Sequence, residues 1–132
     1  MEFRIAHIAL TVSDMDKALD FYVEKLGLKH AFTLYKPDGT PNLHYIKIAD
    51  GQFLELFYAS DELVTKNTSF RHLCLQVEDC AAAAKELEAA GIEIITPPKQ
   101  GKDTNWQCWI ADPDGNRIEI MQISPESPQA KA

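Results

Sequence analysis

His7-Ile8-Ala9-Leu10-Thr11-Val12-Ser13-Asp14 and His72-Leu73-Cys74-Leu75-Gln76-Val77-Glu78-Asp79 read as one pattern, H-φ-x-L-x-V-x-D, where φ is apolar. Each runs on into an alanine-containing helical stretch that stops at a glycine, Gly27 or Gly91. A second match follows: Asp50-Gly51-Gln52-Phe53-Leu54-Glu55 aligns with Asp114-Gly115-Asn116-Arg117-Ile118-Glu119, both D-G-x-x-φ-E. The copies lie 65 residues apart at the histidines and 64 apart at the glutamates. A nearly constant offset over half the chain marks an internal repeat, and self-similarity of this kind decides the architecture before any local propensity does.

Each copy predicts a strand, a helix, and two or three further strands, a βαβββ unit. His7 to Val12 alternates as a strand half-buried on its Ile8, Leu10 and Val12 side. Ser13 or Asp14 can cap the helix that follows, with Leu19, Tyr22, Val23 and Leu26 as its apolar stripe and Gly27 as its stop. In the second copy Asp79 is the cap, Ala83, Leu87 and Ala90 the stripe, and Gly91 the end. Lys36-Pro37-Asp38-Gly39 and Asp112-Pro113-Asp114-Gly115 are turn sequences, since proline presets φ and glycine accepts φ > 0. The remaining strands are expected over Leu43–Ala49, Phe53–Tyr58, Gln107–Ala111 and Arg117–Ile123. One domain over 1–124, with modules at about 1–62 and 68–124, and a disordered tail over 125–132 complete the expected organisation.

A chain of 132 residues with 45% hydrophobic and 25% charged residues suits one globular domain with its own core. The start, Met1-Glu2-Phe3-Arg4, has neither the basic segment nor the apolar run of an export signal, and no apolar stretch is long enough to span a bilayer. Cys74, Cys80 and Cys108 have no metal-binding spacing and read as reduced thiols, which implies a cytoplasmic protein. A net charge of −7 argues against a nucleic-acid partner, which needs clustered lysine and arginine, and leaves a small molecule as the expected partner.

Neighbouring strand residues point to opposite faces. His7 therefore shares a face with Ile5 and Ala9, His72 with Cys74 and Gln76, Glu55 with Phe53 and Phe57, and Glu119 with Arg117 and Met121. All four polar residues point away from the helix-covered side, each within an otherwise apolar strand. A carboxylate there is costly to desolvate unless something pairs with it. One strand histidine or glutamate is ordinarily a solvated residue. Two of each at equivalent places in a repeat suggest a shared divalent cation, for which neutral imidazole and carboxylate are suitable ligands.

These segments, together with A-L-D-F-Y-V-E-K-L-G-L, F-L-E-L-F, R-H-L-C-L-Q-V and D-P-D-G-N-R-I-E-I, resemble the vicinal oxygen chelate (glyoxalase/bleomycin resistance/dioxygenase) superfamily. Within it the sequence is most similar to bacterial glyoxalase I, the lactoylglutathione lyases. The resemblance runs from about Phe3 to Gln122. It implies an α+β fold of two tandem βαβββ modules, with curved mixed sheets and helices on the outer face. It also implies one divalent metal per site (Ni, Zn, Co or Mn) held by His7, Glu55, His72 and Glu119. Ring-cleaving dioxygenases and fosfomycin-modifying relatives use two histidines and one carboxylate, and methylmalonyl-CoA epimerase typically has glutamine where Glu55 stands.

The implied reaction is a metal-dependent lyase or isomerase step through an enediolate, on an α-ketoaldehyde hemithioacetal or a similar α-hydroxycarbonyl. Glu119 would be the proton-transferring base and Glu55 its near-symmetric counterpart. The resemblance further implies a homodimer in which His7 and Glu55 of one chain meet His72 and Glu119 of the other. Two positions depart from the glutathione pattern: Thr11 stands where the family has arginine and Ala59 where it has asparagine. Lys99 and Lys102, on the loop before the last strands, are placed to meet a substrate carboxylate. Phe53, Phe57, Trp106 and Trp109 would wall a pocket or fill the core. Cys74 and Met121 would line the pocket, and His30 and His44 read as surface or edge residues. Alternative functions on the same scaffold are an epimerase of another α-hydroxycarbonyl or acyl thioester, an Fe(II) dioxygenase, and a non-catalytic small-molecule binder.

Overall fold

The computed structural model describes residues 1, 5–59, 70 and 72–132. The start of the family resemblance at Phe3, Arg71 of R-H-L-C and the expected boundary between the modules lie outside these residues. The chain divides into two compact units, Met1–Lys66 and Asn67–Ala132.

In the first unit β1 (His7–Val12) leads into α1 (Met15–Leu19), which continues as a π-helical segment over Asp20–Lys25. β2 (Lys29–Tyr35), β3 (Pro41–Ala49) and β4 (Gln52–Tyr58) follow. The sheet order is β1-β4-β3-β2, with β1 parallel to β4 and the other pairs antiparallel. A parallel pair needs a crossover rather than a tight turn, and the helix and the β2–β3 hairpin provide it. Asp14 caps α1 by accepting a hydrogen bond from the Lys17 N–H at 3.1 Å. Gly27, at φ 79°, supplies the left-handed residue that stops the helix.

The buried helical side chains are Met15, Ala18, Phe21 and Tyr22, whereas Leu19, Val23 and Leu26 of the expected stripe are only half-buried. For Val23 and Leu26 the reason is the π-helical segment. Its i→i+5 hydrogen bonding, as in Leu26 N–H to Phe21 C=O, widens the turn and rotates later residues off the simple 3.6-residue period. Val12, Ile46, Leu54 and Leu56 form the buried face of this sheet.

The second unit repeats the plan. β5 (Leu73–Gln76), α2 (Cys80–Ala89), β6 (Thr96–Gln100), β7 (Trp106–Ala111) and β8 (Arg117–Gln122) give the sheet order β5-β8-β7-β6. The parallel pair is β5 with β8. Asp79 caps α2 through the Ala82 N–H at 2.9 Å. The buried stripe is Cys80, Ala84 and Leu87; of the expected stripe Leu87 is buried, Ala83 half-buried and Ala90 exposed, and α2 packs on β6, β7 and β8. Asp112 makes the turn before β8, its carboxylate accepting from the N–H groups of Asp114 and Asn116.

The tail carries a short helix of its own. Ser127, fully buried, caps a short helix α3 (Pro128–Lys131) with proline in its first turn, the usual start signal. Buried Asn105 ties the tail down, accepting from the Ser124 N–H at 2.9 Å and donating to Gln129 at 3.3 Å. Among the described residues no helix is long and apolar enough to cross a membrane.

Ile118 is fully buried at the centre of the second sheet. Ile118→Ala should lower unfolding free energy by about 2–5 kcal/mol through lost burial and a residual cavity. Asp79→Ala, which removes only a cap, should cost about 1 kcal/mol. Urea unfolding followed by circular dichroism measures both.

Candidate functional site

Each unit brings one histidine against one glutamate on the sheet face opposite its buried apolar face. In the first, His7 Nε2 lies 3.3 Å from Glu55 Oε2. In the second, His72 Nε2 lies 3.1 Å from Glu119 Oε2. Strand register produces both contacts. Ala9 is opposite Glu55 and Cys74 opposite Glu119, so each histidine, two residues earlier in the chain, is the diagonal neighbour of its glutamate. Both carboxylates are buried, Glu55 at 9% exposure and Glu119 at 6%, while both histidines keep solvent access.

The rest of the neighbourhood differs between the units. Tyr45 on β3 is opposite Glu55, and its hydroxyl donates to Glu55 Oε1. That hydrogen bond, then burial and the carboxylate charge, raise the Tyr45 phenol above its usual range. Phe32 stacks on Tyr45 at 4.4 Å between ring centroids. The equivalent position on β7 is Trp109, opposite Glu119. Its ring meets His72 edge-on at 4.8 Å, carries the Arg117 guanidinium at 4.4 Å and donates its N–H to Gln107 at 2.9 Å. Sequence reading passes over Tyr45, although it precedes Trp109 by the same 64 residues that separate the glutamates.

Phe53 and Phe57 are half-buried on the Glu55 face, and Met121 is buried on the Glu119 face. Thr11 is exposed on the His7 face, and Ala59 is exposed just beyond β4. Cys74 keeps exposed surface, yet burial of its sulfur, then the charge and hydrogen bond of Glu119, push the thiol up to about 11. It is therefore a protonated side chain near neutral pH and no nucleophile. Lys99 is not on a loop: it lies in β6 opposite Gln107, which puts it on the Trp109 and Glu119 face, while Lys102 is in the turn that follows. His44 is not a surface residue but is 9% exposed, and burial, then His30, lower its imidazole below the ordinary range.

Neighbouring ligands of one cation with bonds of about 2.0–2.2 Å lie about 2.9–3.4 Å apart, the separation seen in both His–Glu pairs. The donor set, neutral imidazole with carboxylate, suits a divalent transition metal. Among the described residues no single point gathers three or more His, Cys, Asp or Glu side chains. In a spectrophotometric alkaline titration, a phenol titrating above the usual range should be lost in Tyr45→Phe and should move down in Glu55→Gln.

A model of the glyoxalase/bleomycin resistance protein/dioxygenase superfamily matches residues 4–120. A probable lactoylglutathione lyase of Vibrio parahaemolyticus is 31% identical over 126 residues, covering 90% of each chain. Two solved structures are similar over most of their length. One is lactoylglutathione lyase from Agrobacterium tumefaciens, with TM-score 0.67, 27% identity and coverage of 89% of this chain and 92% of that one. The other is TnmS3, an antibiotic binding protein from Streptomyces sp. CB03234, with TM-score 0.73, 27% identity and coverage of 93% and 98%. With a four-stranded mixed sheet in each unit and a match over nearly all its length, the chain belongs to the glyoxalase/bleomycin resistance protein/dioxygenase, or vicinal oxygen chelate, superfamily.

Proposed function

We propose that this protein is a metal-dependent lyase or isomerase of the glyoxalase I type, acting in the cytoplasm as a homodimer on an α-ketoaldehyde hemithioacetal or a similar α-hydroxycarbonyl. The observation that carries the reading is the equivalent His–Glu pair in each unit, at 3.3 Å and 3.1 Å. His7, Glu55, His72 and Glu119 would together hold one divalent cation (Ni, Zn, Co or Mn), with His7 and Glu55 of one chain meeting His72 and Glu119 of its partner. Bound there, the cation would supply Lewis acidity at the substrate's adjacent oxygens and make the neighbouring C–H acidic.

The chain's own residues divide the remaining work. Glu55 has both oxygens engaged, Oε1 by the Tyr45 hydroxyl and Oε2 by His7. Among the described residues, Glu119 has His72 on one oxygen and otherwise the weak thiol donor of Cys74. Glu119 is therefore the better placed to take a proton from one substrate carbon and return it to the next, and Glu55 is the more firmly held ligand. Trp109, Met121, Phe53 and Phe57 would exclude water from the reacting carbons. Lys99, on the Glu119 face, would meet a substrate carboxylate.

Thr11 and Ala59 lack the charge and amide that the glyoxalase I pattern uses for glutathione, which favours a different thiol adduct or an acyl thioester as the competing substrate. The likeness to an antibiotic binding protein supports a second reading, a small-molecule binder without chemistry. Turnover separates them. Protein loaded with Ni(II), and in parallel Zn(II), should form thioester from methylglyoxal and glutathione. Glu119→Gln should lower the rate by about 10²–10⁴-fold, the usual worth of a positioned base, while retaining metal. Stoichiometric metal without turnover would remove glutathione as cosubstrate, and absence of bound metal would favour the binder.

A further inference from the structure

On the other face of the first sheet, His30 Nε2, His44 Nδ1 and Thr33 Oγ1 form a nearly equilateral triangle. Its edges are 3.0 Å between the two imidazole nitrogens, 3.2 Å from Thr33 to His30 and 3.0 Å from Thr33 to His44. The face is fixed by register. His44 is opposite Leu56 and adjoins Tyr45, which points to the Glu55 side, so His44 points away from Glu55. Thr33 is opposite His44 and His30 opposite Ile46. Residues 30 and 33 of a regular strand would point to opposite faces. A register shift between His30 and Phe32 turns them to the same side, the use to which β-bulges are commonly put beside functional sites.

An imidazole nitrogen has one in-plane lone pair or one N–H, so it makes one well-directed hydrogen bond. Here each ring nitrogen has two neighbours at hydrogen-bond distance, and it cannot serve both well. A single point lying about 2.0–2.1 Å from both nitrogens serves them together, because ligands of one cation then lie about 2.9–3.4 Å apart. The outer atoms agree. His44 Nε2 lies 3.0 Å from the Tyr58 hydroxyl, the arrangement in which the free nitrogen of a metal-bound histidine is held by a second group. His30 is exposed, which gives a cation a route in, while His44 anchors the site from the buried side.

We propose that His30, Thr33 and His44 form a second divalent-cation site, on the sheet face opposite the His7–Glu55 pair, with Tyr58 orienting His44 and water completing the shell. Two imidazoles and a hydroxyl select a transition cation such as zinc, nickel or copper over magnesium or calcium. The site stands apart from the proposed catalytic centre and does not depend on it.

The test uses full-length, tag-free protein and zinc chloride alone. In a His7→Ala/His72→Ala background, calorimetry should still find one zinc per chain. Adding His30→Ala should weaken that binding at least tenfold, and Tyr58→Phe by about tenfold, the usual effect of losing an orienting partner. Loss of all zinc binding in the background, or no change on adding His30→Ala, would overturn the proposal. Nitrogen NMR of the wild-type rings settles the matter without variants. Zinc should shift His30 Nε2 and His44 Nδ1, and unmoved resonances there would overturn the site whatever happens at His7 and His72.

Discussion

A carboxylate buried in the middle of a β-strand needs a partner for its charge, and this constraint organises both units. Glu55 and Glu119 sit at 9% and 6% exposure, with apolar strand neighbours on either side. Leaving a group of this kind without a partner costs several kcal/mol, roughly the scale of a small domain's whole stability. In each unit the parallel pairing of the first and last strands brings a histidine to the glutamate's diagonal. The βαβββ order is what makes that pairing possible: a helix and a hairpin return the chain so that the last strand lies beside the first.

From this common frame the units diverge. The first engages both oxygens of its carboxylate, one by His7 and one by Tyr45, whose ring packs against Phe32 and Phe53. The second places Trp109 over His72, braced by Arg117 and Gln107, and leaves Glu119 less tightly held. Duplication explains the like positions of the two pairs, and the aromatic at the next strand explains their different freedom. The same sheet that presents Glu55 on one face carries the His30–Thr33–His44 triangle on the other, so one strand, β3, serves two unrelated polar clusters by simple alternation.

Much of this was legible in the residues because repetition amplifies weak signals. A single H-φ-x-L-x-V is unremarkable, but two at nearly the offset of the two D-G-x-x-φ-E segments locate four strands and the histidine and glutamate of each unit. Two strands escaped notice for physical reasons. β2 is an edge strand whose residues are mostly exposed, with no buried period to detect. β6 holds Pro97 and Pro98, residues tolerated in a sheet mainly at an edge, which is where the strand order puts them. Of the expected helix stripes Tyr22 and Leu87 are buried, and in the first helix the π-helical segment turns Val23 and Leu26 off the 3.6-residue period. The composition of the tail gives no sign of its hydrogen bonds to Asn105, which lies about twenty residues away in the chain. His44 looked peripheral because a histidine's burial depends on partners from three strands.

The proposed centre requires the two His–Glu pairs to converge on one cation. A crystal structure of the nickel-loaded protein, with an anomalous difference map at the nickel absorption edge, tests it most directly. A shared centre puts one peak about 2.0–2.2 Å from His7, Glu55, His72 and Glu119 together. A peak touching only one His–Glu pair, or none beside either, would contradict it.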